Sequence, residues 1–122
     1  MLKVDDVSVS YGKSQVVYNV SFEIKDDEKL ILLGRNGVGK TTLLKSIIGL
    51  LPAKTGDISL NSDKVTKLKP YERSRKGIAY VPQGREIIPQ LTVQENLELG
   101  ALAHKVDYAK KVEEIFEYFP VL

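Results

Sequence analysis

A glycine-rich segment, residues 34–41, has the residue types and spacing of a phosphate-binding loop, G-x-x-x-x-G-K-[ST]. Glycines let the backbone curl so that successive amides point inward at a polyphosphate. Lys40 could reach β- and γ-phosphate oxygens as a point charge, and Thr41 offers a hydroxyl to Mg²⁺. The alternative is a chance glycine-rich turn with an exposed lysine. The predicted nucleoside triphosphate site comprises Gly34, Arg35, Asn36, Gly37, Val38, Gly39, Lys40, Thr41 and Thr42.

Such a loop requires a strand before it and a helix after it, and the flanking residues predict both. Residues 30–33 are apolar without alternation, which is typical of a strand buried on both faces of a parallel sheet. From Lys40 onward, apolar side chains recur on one helical face, and Gly49 and Pro52 mark the end of that helix. Residues 77–81 predict a second buried strand, which would add to the parallel part of the sheet.

The remaining elements are predicted from alternation, helical spacing and capping patterns. Alternating residues predict strands at 2–10, 20–24 and 57–60, and residues 70–76 predict a polar helical turn. Thr92 and Glu95 have the spacing of a capping box, so a helix should run from about Val93 to about Ala103. A last helix should end before Pro120, with one face used for packing: Val112, Ile115, Phe116 and Phe119. Together these elements predict an α/β chain.

Composition and charge restrict the class of protein. None of the 122 residues is cysteine, which excludes a disulfide framework and a thiolate metal site. A net charge of +2 gives no reason to expect nucleic acid as a partner. No apolar run approaches the roughly 20 residues of a membrane-spanning helix, and the first residues lack the apolar core of a signal peptide. We therefore expect a cytoplasmic chain without direct membrane insertion.

Four segments, in the same order, resemble the ATP-binding subunits of ABC transporters. Residues 34–44 look like the family's phosphate loop, G-x-N-G-x-G-K-[ST]-T-L. Tyr11, followed by Gly12, stands where the family has an aromatic residue that stacks on adenine. Tyr-Val-Pro-Gln at residues 80–83 resembles the segment that carries the family's glutamine, and residues 91–97 resemble the opening of its helical subdomain. These segments cover nearly the whole chain, so the resemblance is specific.

The resemblance implies a P-loop NTPase-like ABC ATPase core with N-terminal antiparallel strands and part of a parallel sheet. Residues 1–90 would belong to the nucleotide-binding core and residues 91–122 to the start of the helical subdomain. The implied cofactors are ATP and Mg²⁺, with Lys40 and Gln83 as catalytic residues and Thr41 and Gln83 as metal ligands. Tyr11 would be the adenine platform. The alternatives are that Tyr11 is a strand-end tyrosine and Gln83 a polar loop residue.

The resemblance also implies partners and a role in transport. The partners would be a second ATPase subunit, identical or different, and membrane-spanning permeases contacted through the Gln83 loop at the inner face of the cell membrane. The Gly-Arg pair at residues 84–85 is similar to importers of branched-chain amino acids and amides, and residues 49–54 and 119–122 look most like the urea branch. We therefore expect an importer ATPase for urea or branched-chain amino acids.

Several of the family's catalytic motifs have no counterpart in this sequence. No apolar run leads into an Asp-Glu pair, no L-S-G-G-Q motif is present, and His104 does not match the family's switch histidine. His104 is instead predicted to follow a helix, where the dipole favours it, and Arg85 to be a subunit-contact, phosphate or solvated residue. We expect a truncated domain that binds ATP but hydrolyses it poorly. The alternatives are a structural or self-associating fragment without hydrolysis, and another P-loop NTPase.

Overall fold

The computed structural model describes residues 1–84, 86–102 and 107–122, so the predictions for Arg85, Ala103 and His104 lie outside the described residues. Two compact units are present, Met1–Ala79 and Tyr80–Leu122. The elements are β1 (Leu2–Tyr11), β2 (Ser14–Ile24), α1 (Lys40–Ile47), β3 (Ala53–Leu60), β4 (Asp63–Lys64), α2 (Pro70–Arg75), α3 (Val93–Leu102) and α4 (Tyr108–Tyr118).

The strands of the first unit form one antiparallel sheet in the order β2-β1-β3-β4. The expected N-terminal antiparallel strands are therefore confirmed. Both β2 and β3 begin earlier than the alternation predicts because β1 is long enough to pair with both of them. Val9 of β1, for example, pairs with Val17 of β2 on one side and with Ala53 of β3 on the other.

The core of the first unit lies between this sheet and α1. The sheet contributes buried valines of β1 and β2 and Ile58 of β3, and α1 contributes two side chains on one face. That face agrees with the apolar spacing predicted for the helix. The buried apolar residues are Val4, Val7, Val9, Val17, Leu43, Ile47, Ile58 and Val65.

Helix α1 begins and ends where the sequence predicts. Its N-cap residue, Gly39, has a left-handed backbone with φ of 102°, and the amide of Leu43 donates to the Gly39 carbonyl at 2.8 Å. Beyond its last turn, Gly49 has φ of 86° and donates to the carbonyl of Ser46 at 3.1 Å. The predicted glycine cap is therefore confirmed, and it ends the helix before Pro52.

The expected parallel strands are the main correction to the sequence analysis. Within the described part of the chain, neither residues 30–33 nor residues 77–81 form a strand, and all strand pairs are antiparallel. Ile31, Leu33 and Val81 are 79%, 89% and 91% exposed. A strand buried on both faces needs ladder partners for its amides and carbonyls. The described strands pair only with one another, so these apolar segments stay irregular.

The second unit contains α3 and α4. The predicted capping box at the start of α3 is confirmed: the Glu95 amide donates to Thr92 Oγ1 at 3.2 Å, and the Thr92 amide donates to Glu95 Oε2 at 2.7 Å. The hydroxyl of Tyr108, the first residue of α4, donates to the Gln94 carbonyl of α3 at 3.3 Å. Among the described residues, no helix is both long and apolar enough to cross a membrane.

Candidate functional site

The backbone of the predicted phosphate loop, residues 34–41, depends on glycine at two positions. Gly37 and Gly39 have φ of 82° and 102°, a region that side chains with a Cβ rarely adopt. Gly39 also lies against β2, because a Cβ there would be 3.1 Å from the Val16 carbonyl oxygen and 3.2 Å from Cγ2 of Val17. The loop is therefore both turned by its glycines and held close to the sheet.

Lys40 closes this loop with its own side chain. Its Nζ donates to the carbonyl oxygens of Gly34 at 2.5 Å and Arg35 at 2.7 Å, so the side chain runs back from α1 to the start of the loop. An ammonium has three N–H donors, and these two bonds use two of them. The third donor remains for an anion, and a phosphate that enters the loop meets a cation already positioned among its carbonyls.

The two threonines that follow Lys40 have different surroundings. Thr41 is exposed, whereas the side chain of Thr42 is buried. Thr41 can therefore present its hydroxyl to a cation at the surface of the loop, and Thr42 can contribute its amide to the first turn of α1. That turn contains no acidic residue that would repel an anion.

A cavity of about 340 Å³ lies beside the loop, between β2, α1 and the irregular segment before the loop. Among the described residues that line it, Lys40 carries a charge and most of the others are apolar. Sequence reasoning did not find this cavity, because the residues of β2 that line it carry no motif. The lining residues are Val16, Val17, Tyr18, Val20, Leu32, Leu33, Val38, Gly39, Lys40 and Leu43.

Two of the predicted site residues, Tyr11 and Gln83, are not part of the loop. Tyr11 ends β1 at a hairpin, where it pairs with Ser14, and its side chain is 46% exposed; it is not part of the cavity lining. Gln83 belongs to the second unit and lies in an exposed stretch without helix or strand. The adenine-stacking role of Tyr11 and the catalytic role of Gln83 therefore stay predictions.

The expected cofactors fit the donor set of the loop. Among the residues that the structure describes, no group of three or more His, Asp or Glu side chains could hold a metal ion. Mg²⁺ in nucleotide sites is commonly held by only one or two protein oxygens together with phosphate oxygens and water. A single exposed hydroxyl, that of Thr41, next to a loop of amides is consistent with this kind of site.

Arg73 of α2 is a residue of the same unit that sequence reasoning missed. It is only 2% exposed, and its guanidinium donates to four backbone carbonyls, of which two belong to the last turn of α1. Burial lowers the pKa of Arg73 from its ordinary value. No local pattern in the sequence distinguishes it from the exposed Arg75.

Comparison with known proteins gives one family. The family model described as ABC transporter matches residues 17–121. Over the whole chain, the sequence is 41% identical to the high-affinity branched-chain amino acid transport ATP-binding protein BraG of Pseudomonas aeruginosa, covering 53% of that protein. It is 35% identical to the probable branched-chain amino acid transport ATP-binding protein LivF of Archaeoglobus fulgidus, covering 52%. The chain thus spans about half the length of these relatives.

Solved structures agree with the sequence comparison. A dimeric ATP-binding cassette in a post-hydrolysis state, bound to ADP and Pi, matches 84% of this chain with a TM-score of 0.74 and 30% sequence identity. The match covers 47% of that cassette. The α/β fold expected from the sequence is therefore that of an ATP-binding cassette, and this chain matches about half of such a cassette.

Proposed function

The chain belongs to the ABC transporter family, and from this premise we propose that it binds Mg-ATP at residues 34–41 as part of the ATP-binding subunit of an importer. The observation that carries the proposal is the closure of the loop by Lys40, which places a cation among the carbonyls of Gly34 and Arg35 at the start of α1. A helix N-terminus and an ammonium together attract the charge of a triphosphate.

Within the site, each predicted residue has a separate task. Lys40 would neutralise phosphate charge, and the hydroxyl oxygen of Thr41 would hold Mg²⁺. Tyr11 stacks on the adenine, and Gln83 links Mg²⁺ and the attacking water to the membrane subunits. The loop geometry supports the first two roles, and the resemblance to the family supports the last two.

We further propose that the whole protein dimerises and works with membrane permeases at the inner face of the cell membrane. A second ATP-binding subunit and the permeases, contacted through the Gln83 loop, are the partners. A similar cassette is dimeric and bound to ADP and Pi, which supports ATP hydrolysis in a dimer. The hydrolysis is a property of the whole subunit, because this chain has no Asp-Glu pair after an apolar run.

The proposed cargo is branched-chain amino acids, because one relative described above is named as a branched-chain amino acid transport ATP-binding protein and the other as a probable one. Urea is a second candidate, favoured by the resemblance of residues 49–54 and 119–122 to the urea branch. Uptake of labelled leucine and of labelled urea, measured in cells that lack the gene and in complemented cells, separates the two.

Calorimetric titration of the chain with Mg-ATP tests the proposal. Lys40→Ala should weaken binding by about 10- to 100-fold, the range expected when a hydrogen bond to a charged group is lost. Lys54→Ala removes an exposed lysine of β3 and serves as the matched control, with binding unchanged. An absence of heat at millimolar ATP in the parent chain would instead support a purely structural fragment, and stronger competition by GTP would support another P-loop NTPase.

A further inference from the structure

Arg73 is a buried cation, and its hydrogen-bond partners among the described residues are backbone carbonyls. Its Nη1 donates to the carbonyls of Ser46 and Ile47, each at 2.7 Å, its Nη2 to that of Thr66 at 2.6 Å, and its Nε to that of Leu68 at 3.0 Å. No carboxylate is among these partners. The guanidinium therefore joins three parts of the first unit: the end of α1, the turn at residues 65–68 and α2.

These bonds satisfy groups that water does not reach easily. The last carbonyls of a helix have no partner within it, and Ser46, in the last turn of α1, is fully buried. A cation at this end also interacts favourably with the negative end of the helix dipole. Without the guanidinium, the Ser46 carbonyl would keep only the Gly49 amide and the buried Ile47 carbonyl would lose this donor. A buried carbonyl left without a donor is costlier than the loss of an exposed bond.

The other end of α1 is the phosphate loop. The helix has only eight residues, a length at which a helix depends on tertiary contacts for its stability. Its inner face is fixed by Leu43 and Ile47, and its start by the contact between Gly39 and β2. Arg73 supplies the fixed point at its end, about 10 Å along the helix axis from Lys40 at 1.5 Å of rise per residue.

Gly49 lies directly against the guanidinium of Arg73. It has φ of 86°, and a Cβ built on it would lie 2.9 Å from Nε and 3.2 Å from Cζ of Arg73. The guanidinium thus occupies the space that a side chain at position 49 would need. The absence of a side chain at Gly49 therefore leaves room for the guanidinium that binds the last carbonyls of α1.

We propose that Arg73 is a positioning residue for the phosphate loop: it anchors the C-terminal end of α1 to α2 and the 65–68 turn, and thereby sets the direction in which Lys40 and Thr41 face the nucleotide. This inference rests on the proposed function. Arg73 touches neither nucleotide nor metal in this scheme and acts only through the helix.

The test compares Arg73→Met and Arg73→Lys with a control that loses stability elsewhere, Val4→Ala in the core part of β1. Mg-ATP affinity is measured by calorimetry at a temperature where circular dichroism shows every variant folded. Arg73→Met should weaken binding by about tenfold, as expected for buried carbonyls left unpaired. Arg73→Lys should give a smaller loss, and Val4→Ala should stay within about twofold of the parent, because it leaves the hydrogen bonds at the end of α1 in place.

Hydrogen exchange without nucleotide separates this inference from the proposed function. In Arg73→Met the amides of α1 and of residues 37–39 should exchange at least about tenfold faster, whereas the β1–β2 amides should not change. If the parent fails to bind Mg-ATP but the exchange pattern is found, the proposed function fails and the anchoring role stands. If Arg73→Met does not fold, Gly49→Ala, which displaces the guanidinium, is used in its place. Equal effects of Arg73→Met and Val4→Ala, or unchanged exchange in α1, would overturn the inference.

Discussion

Gly39 offers the sharpest test of the loop geometry, through Gly39→Ala. Two costs combine at this position. A non-glycine residue at φ of 102° is strained by about 1–2 kcal/mol. The new methyl group would also be 3.1–3.3 Å from the carbonyl oxygen of Val16 and from valine methyl groups, an overpacking that costs about 1–3 kcal/mol. Alanine also restricts the unfolded chain, which stabilises the folded state by about 0.4–1 kcal/mol.

The expected net loss in Gly39→Ala is therefore about 2–4 kcal/mol in the free energy of unfolding, measured by urea denaturation. Gly37→Ala is the matched variant, because Gly37 has φ of 82° but no atom within 4 Å of a built Cβ. The free energy of unfolding of Gly37→Ala should fall by only about 1 kcal/mol. This value is the backbone strain minus the stabilisation gained by restricting the unfolded chain. Gly100→Ala, inside α3 with open space around it, should gain about 0.5–1 kcal/mol of helix stability.

The difference between the first two variants isolates the contact with β2. Mg-ATP binding should follow the same order, with Gly39→Ala weakest, because the loop must move away from the sheet to admit the methyl group. Equal loss of stability in Gly39→Ala and Gly37→Ala would refute the close approach of the loop to Val16. Full Mg-ATP affinity in Gly39→Ala would refute the dependence of the site on that approach.

Three further predictions concern the metal ion, pH and association. Thr41→Ala should lower ATP affinity in the presence of Mg²⁺ but not in EDTA, whereas Thr41→Ser should behave as the parent in calorimetry. The pKa of Glu95 lies below its ordinary value of 4.5, mainly because the backbone amide of Thr92 donates to it and further because the Thr92 hydroxyl does. A depressed carboxyl pKa stabilises the folded state above pH 4.5, and this contribution is lost as the pH falls through the lower folded value. The helical circular dichroism signal should therefore fall as the pH drops below 4.5, less steeply in Glu95→Gln. Leu33→Lys should reduce self-association in analytical ultracentrifugation, because Leu33 is 89% exposed and lies in an apolar segment; an unchanged sedimentation profile would exclude that segment as the contact.

The sequence predicted elements whose determinants are close together along the chain. The alternation in β1, the glycine end of α1 and the capping box of Thr92 and Glu95 are each decided within a few residues, and each was confirmed. The strand predicted at residues 30–33 is absent because an apolar pattern indicates that a segment would be buried. The pattern does not indicate which strands would pair with that segment. Burial and pairing are non-local, and sequence spacing does not contain them.

The features of the site also divide into local ones, which the sequence predicts, and non-local ones, which it does not. The turn of the loop is local, since it follows from the two glycines and from a lysine long enough to reach back to Gly34. The anchoring of α1 is non-local, since Arg73 lies 27 positions beyond its acceptor Ser46. An arginine in a short polar helix gives no sign in the sequence that it will be buried. The cavity beside β2 was missed for the same reason.

This division has a consequence for function. The residues expected to hold phosphate lie within nine consecutive positions, and the contacts that shape their backbone, to β2, to the loop carbonyls and to Arg73, all lie within the first unit. Phosphoryl transfer needs in addition groups that polarise water and neutralise charge in the transition state. The chain has no acidic pair of that kind in its sequence. We therefore predict that Mg-ATP protects the first unit against unfolding while phosphate release stays near background.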